Sequence, residues 1–91
     1  MTMDEADIKE GNHIKNDVNG RTFKVYKPLS YYHEDENKFL PMFANEQGTG
    51  TPWMLHEFHV GKVAILSSEL IVERYSLIGY RDERGKFKKV E

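Results

Sequence analysis

Residues 60–80, VGKVAILSSELIVERYSLIGY, gather Val63, Ala64, Ile65, Leu66, Leu70, Ile71, Val72, Leu77 and Ile78 into one segment. No other stretch of the chain is as apolar, so any core has to be built against it. Two periodicities compete for it. On a helical wheel Val63, Leu66, Leu70, Ile71, Tyr75 and Ile78 fall near one stripe. Against a single helix, Ala64, Ile65, Val72 and Leu77 leave that stripe, and the apolar residues come as two short runs rich in β-branched types, VAIL and LIV. Each run has strand length, and the polar triplet Ser67-Ser68-Glu69 between them suits a turn. We read the segment as two strands joined by a tight connection. The rival reading is a short helix over 67–75, started by Ser67 or Ser68 as a cap.

The rest of the chain supports a single small domain. Ninety-one residues hold one modest core, and the hydrophobic share of 38% is low enough that several of the aromatic side chains, 12% of residues, must supply its volume. Residues 1–10 carry Asp4, Glu5, Asp7 and Glu10 and read as a frayed acidic tail, leaving 11–91 as a β-rich domain. Asn19-Gly20 is the best hairpin signal in the sequence. A type I′ turn there would pair 14–18 with 21–26, where Phe23 and Val25 alternate with polar residues. Pro28 ends that arm, and 29–37 read as a solvated loop. Residues 38–44 read as a third strand with Pro41 at an edge or bulge, 45–52 as a flexible loop, and 53–60 as a strand. Gly85 then closes a last hairpin, with 87–90 returning. The fold class is mainly β: a small partly open barrel or curled antiparallel meander of five to seven short strands, with the one-helix variant making it α+β.

Few residues offer catalytic chemistry. The absence of cysteine removes disulfides, thiolate nucleophiles and thiolate zinc sites. His56 and His59 are the one metal-like pair, but a strand points residues three apart to opposite faces, and the spacing misses the i, i+4 arrangement of zinc helices. A small metal-dependent enzyme using that pair is therefore a second alternative only. Glu34-Asp35-Glu36 and Asp82-Glu83 are adjacent solvated carboxylates, not a pair with one desolvated member. Ser67-Ser68 lacks a nucleophile-elbow context, and the Gly48–Thr51 run lacks the lysine and helix of a phosphate loop. We expect no catalytic residue, no metal and no cofactor.

The favoured function is a non-catalytic protein-interaction or regulatory module. Its contact surface would combine Tyr31, Tyr32, Glu34, Asp35 and Glu36 with Trp53 beside its flexible loop, because tyrosine and tryptophan give large contact area at low entropic cost. The alternative is a nucleic-acid-binding barrel using Lys24, Tyr26, Arg81, Arg84, Lys86 and Lys88, cations interleaved with rings. A formal net charge of -2 gives no global attraction to nucleic acid or anionic membrane, so any such site must be a local patch. The first ten residues lack the basic and apolar regions of a signal peptide, and no window reaches the ~20 apolar residues of a membrane span. We read the protein as cytoplasmic, bound to no membrane. A homodimer and a monomer are equally compatible with the sequence, the dimer following if the strand from Val60 or the edge near Pro41 leaves apolar surface uncovered.

Overall fold

The computed structural model describes residues 3–41 and 50–90. Among them are eight strands: β1 (His13–Asn16), β2 (Thr22–Pro28), β3 (Ser30–His33), β4 (Lys38–Pro41), β5 (Pro52–Glu57), β6 (Val63–Ser67), β7 (Tyr75–Arg81) and β8 (Phe87–Lys89). One helix, α1 (Ser68–Arg74), and a short 3-10 turn at Glu5–Asp7 complete the elements. Six strands form one antiparallel sheet in the order β6-β5-β2-β1-β7-β8, while β3 and β4 pair with each other in a separate hairpin. The fold is thus mainly β, a meander with one short helix. Among the described residues the sheet does not close into a barrel, and β6 and β8 are its edges.

Residues 60–80 combine the two readings of the sequence. The first apolar run is a strand, but the second, Leu70-Ile71-Val72, lies in α1, and the second strand of the segment begins only at Tyr75. Ser67 makes the switch. Its backbone is extended (φ -70°, ψ 153°) and its Oγ accepts the Leu70 N–H at 3.4 Å, so the last strand residue is also the helix cap. Glu69 in the first turn and Arg74 in the last match the helix dipole. As a helix the segment buries Ile71 completely while leaving Glu69, Glu73 and Arg74 in solvent. α1 then delivers β7 not beside β6 but beside β1, on the far side of the sheet.

The core lies against one face of that sheet. Ile14 faces Phe23 and Leu77 across its two neighbouring strands, and Val25, Leu55 and Ala64 form a second row across β2, β5 and β6. Phe23 meets Tyr75 edge to face at 5.7 Å. Register shifts at His13/Ile14 and at Val25/Lys27 interrupt the ladders, the second leaving Tyr26 without a Cα partner on β5.

Three expectations are revised. The N-terminal segment packs where fraying was expected: Met3 and Ile8 join the core at 6% and 4% exposure, and Glu5 Oε1 accepts a 3.0 Å hydrogen bond from the buried Ser68 hydroxyl. Two apolar side chains flanking a turn capped by Asp4 supply the burial that the acidic residues cannot. At Asn19-Gly20 the chain does reverse, but only Gly20 adopts positive φ (74°), so the turn is not type I′. Asn16 Oδ1 instead accepts the N–H groups of Val18 (2.9 Å) and Asn19 (3.1 Å), holding a wider loop. Finally, residues 29–37, read as a loop, contain β3, because Tyr31 and Tyr32 find cross-strand partners in Leu40 and Phe39. The last hairpin forms as read, with Gly85 at φ 78°. There Phe87 lies across Gly79 so closely that a Cβ would stand 2.3 Å from its ring, so a larger residue at 79 would have to displace that ring. The end of the expected strand 38–44 and most of the loop 45–52 lie outside the described residues.

If α1 covers the core as described, Ile71→Ala should cost about 2–5 kcal/mol in urea unfolding, and Ser67→Ala about 1 kcal/mol. A loss below about 0.5 kcal/mol for Ile71→Ala, the scale of a surface substitution, would contradict the placement of the helix.

Candidate functional site

The hairpin β3–β4 projects the sequence-selected aromatics. Tyr31, Tyr32 and Phe39 are 44%, 49% and 68% exposed, and none belongs to the core cluster. Phe39 was not selected from the sequence, where it reads as one of several apolar residues in a strand. Its cross-strand pairing with Tyr32 puts their rings edge to face at 5.3 Å, while Tyr31 shares the opposite face with His33 at 6.1 Å. Apolar surface is therefore displayed on both faces. The turn over 34–37 is fixed locally: Asn37 takes φ 52° and its N–H donates to Glu34 O (3.2 Å), Glu36 N–H donates to His33 Nδ1 (3.3 Å), and the Tyr32 hydroxyl donates to Asn37 Oδ1. Glu34, Asp35 and Glu36 are exposed at the tip, with Lys38 Nζ 3.7 Å from Glu36 in a solvated pair. The tip is an acidic knob on an aromatic stalk.

Trp53 is placed differently from the tyrosines. It lies in β5 between Pro28 and Leu66 and packs half-buried against the core, next to the point where the chain leaves the sheet for β3. Glu5, Gly50, Thr51 and Ser68 line a small recess with it. The structure thus assembles the two tyrosines and the acidic run on one hairpin and anchors Trp53 in the sheet.

The residues selected for nucleic acid divide between a sheet face and a turn. Lys24 lies opposite His13 and His56 across the ladder, on the face away from the core, and Tyr26 stacks near His56 at 5.0 Å. Arg81 sits over the Phe87 ring at 6.0 Å. Arg84 and Lys86 belong to the β7–β8 turn, where both backbone N–H groups donate to Asp82 Oδ1 at 2.9 Å, and Lys88 faces Tyr80 across β8. His13 is the point where these neighbours meet. Its ring lies 4.7 Å from Phe58 and 4.6 Å from Phe87. Burial among these rings holds its pKa below 6.5, and the nearby charges of Lys24 and Arg81 act in the same direction.

His56 and His59 do not form a shared site on one regular element. His56 is an exposed strand residue, and His59 occupies the β5–β6 turn at φ 68°. Among the described residues no group of three or more His, Cys, Asp or Glu is arranged to hold a metal ion, and no helix is long and apolar enough to cross a membrane.

Comparisons with protein-family models, curated proteins and solved structures found no match for this chain.

Because the folded state disfavours charged His13, its contribution to stability is complete above the unfolded value of 6.5 and declines as pH falls from there towards the lower folded value. Proton NMR titration should give a His13 midpoint below 6.5. A midpoint at or above it would contradict the packing of its ring between two phenylalanines.

Proposed function

We propose that this protein is a non-catalytic interaction module whose hairpin β3–β4 docks on a partner protein. One observation carries the reading: three large aromatic side chains are exposed on an element whose strands, among the described residues, pair with each other and not with the main sheet. Exposed aromatics held by backbone pairing lose little entropy on burial and are the usual anchors of protein interfaces. The acidic tip selects a partner surface with lysine or arginine around an apolar recess, where opposite charge speeds encounter and fixes orientation. The cysteine-free composition fits a module working in the reducing cytoplasm.

Self-association is supported separately by β6. This edge strand carries no charged side chain, and Val63 and Ile65 are about half exposed, as is Val60 before it. This is apolar surface of the kind that a twofold dimer would cover.

Native mass spectrometry of the protein with its co-purified partner reads both points, as a partner mass and as a 1:1 or 2:2 stoichiometry. Tyr31→Ser and Phe39→Ser should each weaken the complex about 30-fold without unfolding the protein, the scale of an interfacial hot spot. A folded double variant that binds its partner as tightly as the wild type would refute the hairpin as the docking element.

A further inference from the structure

The core takes one face of the six-stranded sheet, and the charged residues of its strands divide between the two faces. Among the described residues these strands carry six basic side chains, Lys15, Lys24, Lys27, Arg81, Lys88 and Lys89, and one acidic side chain, Glu57. Glu57 lies opposite Phe23 on the core face and pairs with Arg21 at 3.6 Å. Five of the six cations fall on the other face. One row crosses the whole sheet there, from Val63 through His56, Lys24, His13 and Gly79 to Lys89. Lys15 and Arg81 stand two residues along their strands from His13 and Gly79, and so share that face. The bulge at Val25/Lys27 brings Tyr26 and Lys27 to it together: the Tyr26 ring lies 5.0 Å from His56, with Lys27 Nζ 5.3 Å above it. Lys88, paired with Tyr80, is the exception on the core side.

Rings are interleaved with these charges. Tyr26, 40% exposed, and the exposed His56 form one pair, and the half-buried His13, Phe58 and Phe87 form a second patch beside Arg81. Arg81 Nη1 donates to Gly85 O at 2.9 Å, which leaves further guanidinium donors. The ion pairs among the described residues, Arg21–Glu57 and Lys38–Glu36, use none of the five cations. Acidic groups stand only in the turns at the margins of the face. Asp17 Oδ1 accepts the Ser76 hydroxyl at 2.6 Å, Asp82 Oδ1 accepts the N–H groups of Arg84 and Lys86, and Glu83 is exposed beside them.

We infer that this open face binds single-stranded nucleic acid, with a base stacking on the Tyr26–His56 pair and phosphates meeting Lys24, Lys27, Arg81 and Lys89. Lys27, exposed on a flexible stem, leaves the Tyr26 ring for a phosphate as the base arrives. An open sheet carrying rings and cations suits a ligand with splayed bases on an anionic backbone. An acidic peptide would satisfy the cations and leave the rings unused, and a duplex keeps its bases stacked out of their reach. From His56 on β5 to Lys89 on β8 the row spans four strand spacings, roughly 19 Å, room for several nucleotides. The formal net charge of -2 does not oppose this, because the cations are gathered on one face. The set chosen from the sequence is thereby divided: Lys24, Tyr26 and Arg81 lie on this face, Arg84 and Lys86 in the adjoining turn, and Lys88 on the other side, where Lys89 takes its place. The hairpin β3–β4 contributes none of these residues, so the two surfaces can be tested apart.

The test is fluorescence anisotropy of a labelled twelve-residue oligothymidylate on the full chain, with the unlabelled strand, its duplex and hexaglutamate as competitors. The unlabelled strand should displace the probe far better than either of the others. Tyr26→Leu should weaken binding about tenfold. Lys24→Gln and Lys89→Gln, both at exposed positions, should each lower the salt dependence by about 0.7 of a unit of log–log slope. Lys88→Gln, one residue away on the other face, should leave that slope unchanged. Absence of binding, competition by duplex or hexaglutamate as strong as by the strand, or equal slopes for the Lys88 and Lys89 variants would overturn the inference. So would a folded Tyr26→Leu variant that binds as tightly as the wild type.

Discussion

The seven residues of α1 carry the chain across the sheet, and the rest of the fold follows from that crossing. β6 ends at one edge, yet β7 must pair with β1 on the other side of β2 and β5. The crossing is stabilised at both ends. Ser67 caps the helix, Ser68 ties it to Glu5 and, through its N–H, to Thr51 O at 2.9 Å, and the Tyr75 N–H closes on Ile71 O as β7 begins. Ile71 is pressed into the core by the same geometry. Without that crossing β7 and β8 would lose their place beside β1, and with them the Phe87 lid over Gly79.

One face of the sheet is therefore committed to the core and the other is not. The core face collects Ile14, Phe23, Val25, Leu55 and Leu77 and is covered by α1 and the N-terminal segment. The opposite face keeps Lys24 and His56 in solvent and half-buries His13 between two rings. The hairpin β3–β4 belongs to neither face. A two-stranded hairpin is marginal by itself in water, so this one relies on its cross-strand ladder and its local turn bonds. Surface that contributes nothing to the core is free to serve binding, and the exposed aromatics fall there.

What the sequence made legible was local chemistry. Period-two alternation located β2, glycine located the β1–β2 and β7–β8 reversals, and Ser67-Ser68 was readable as a cap. What remained hidden depends on contacts distant in sequence. Met3 and Ile8 look like tail residues until α1 and the sheet provide an apolar surface for them. Leu70-Ile71-Val72 is strand-like in composition, and only the need to cross the core makes the helix the better use of Ile71. Trp53 and Tyr31 look equally exposed in a linear reading, yet pairing with Pro28 and Leu66 draws Trp53 into the sheet.

Docking through β3–β4 requires that this hairpin stand apart from the cooperative core. Amide hydrogen exchange in the native state measures this directly, since exposed local structure opens independently while core strands open only with global unfolding. The ladder amides of β3 and β4 should exchange at least about a hundredfold faster, relative to their intrinsic rates, than those of β1, β2 and β7. Protection equal to that of β2 would show that the hairpin is part of the core, and its aromatics would then no longer be a free docking surface.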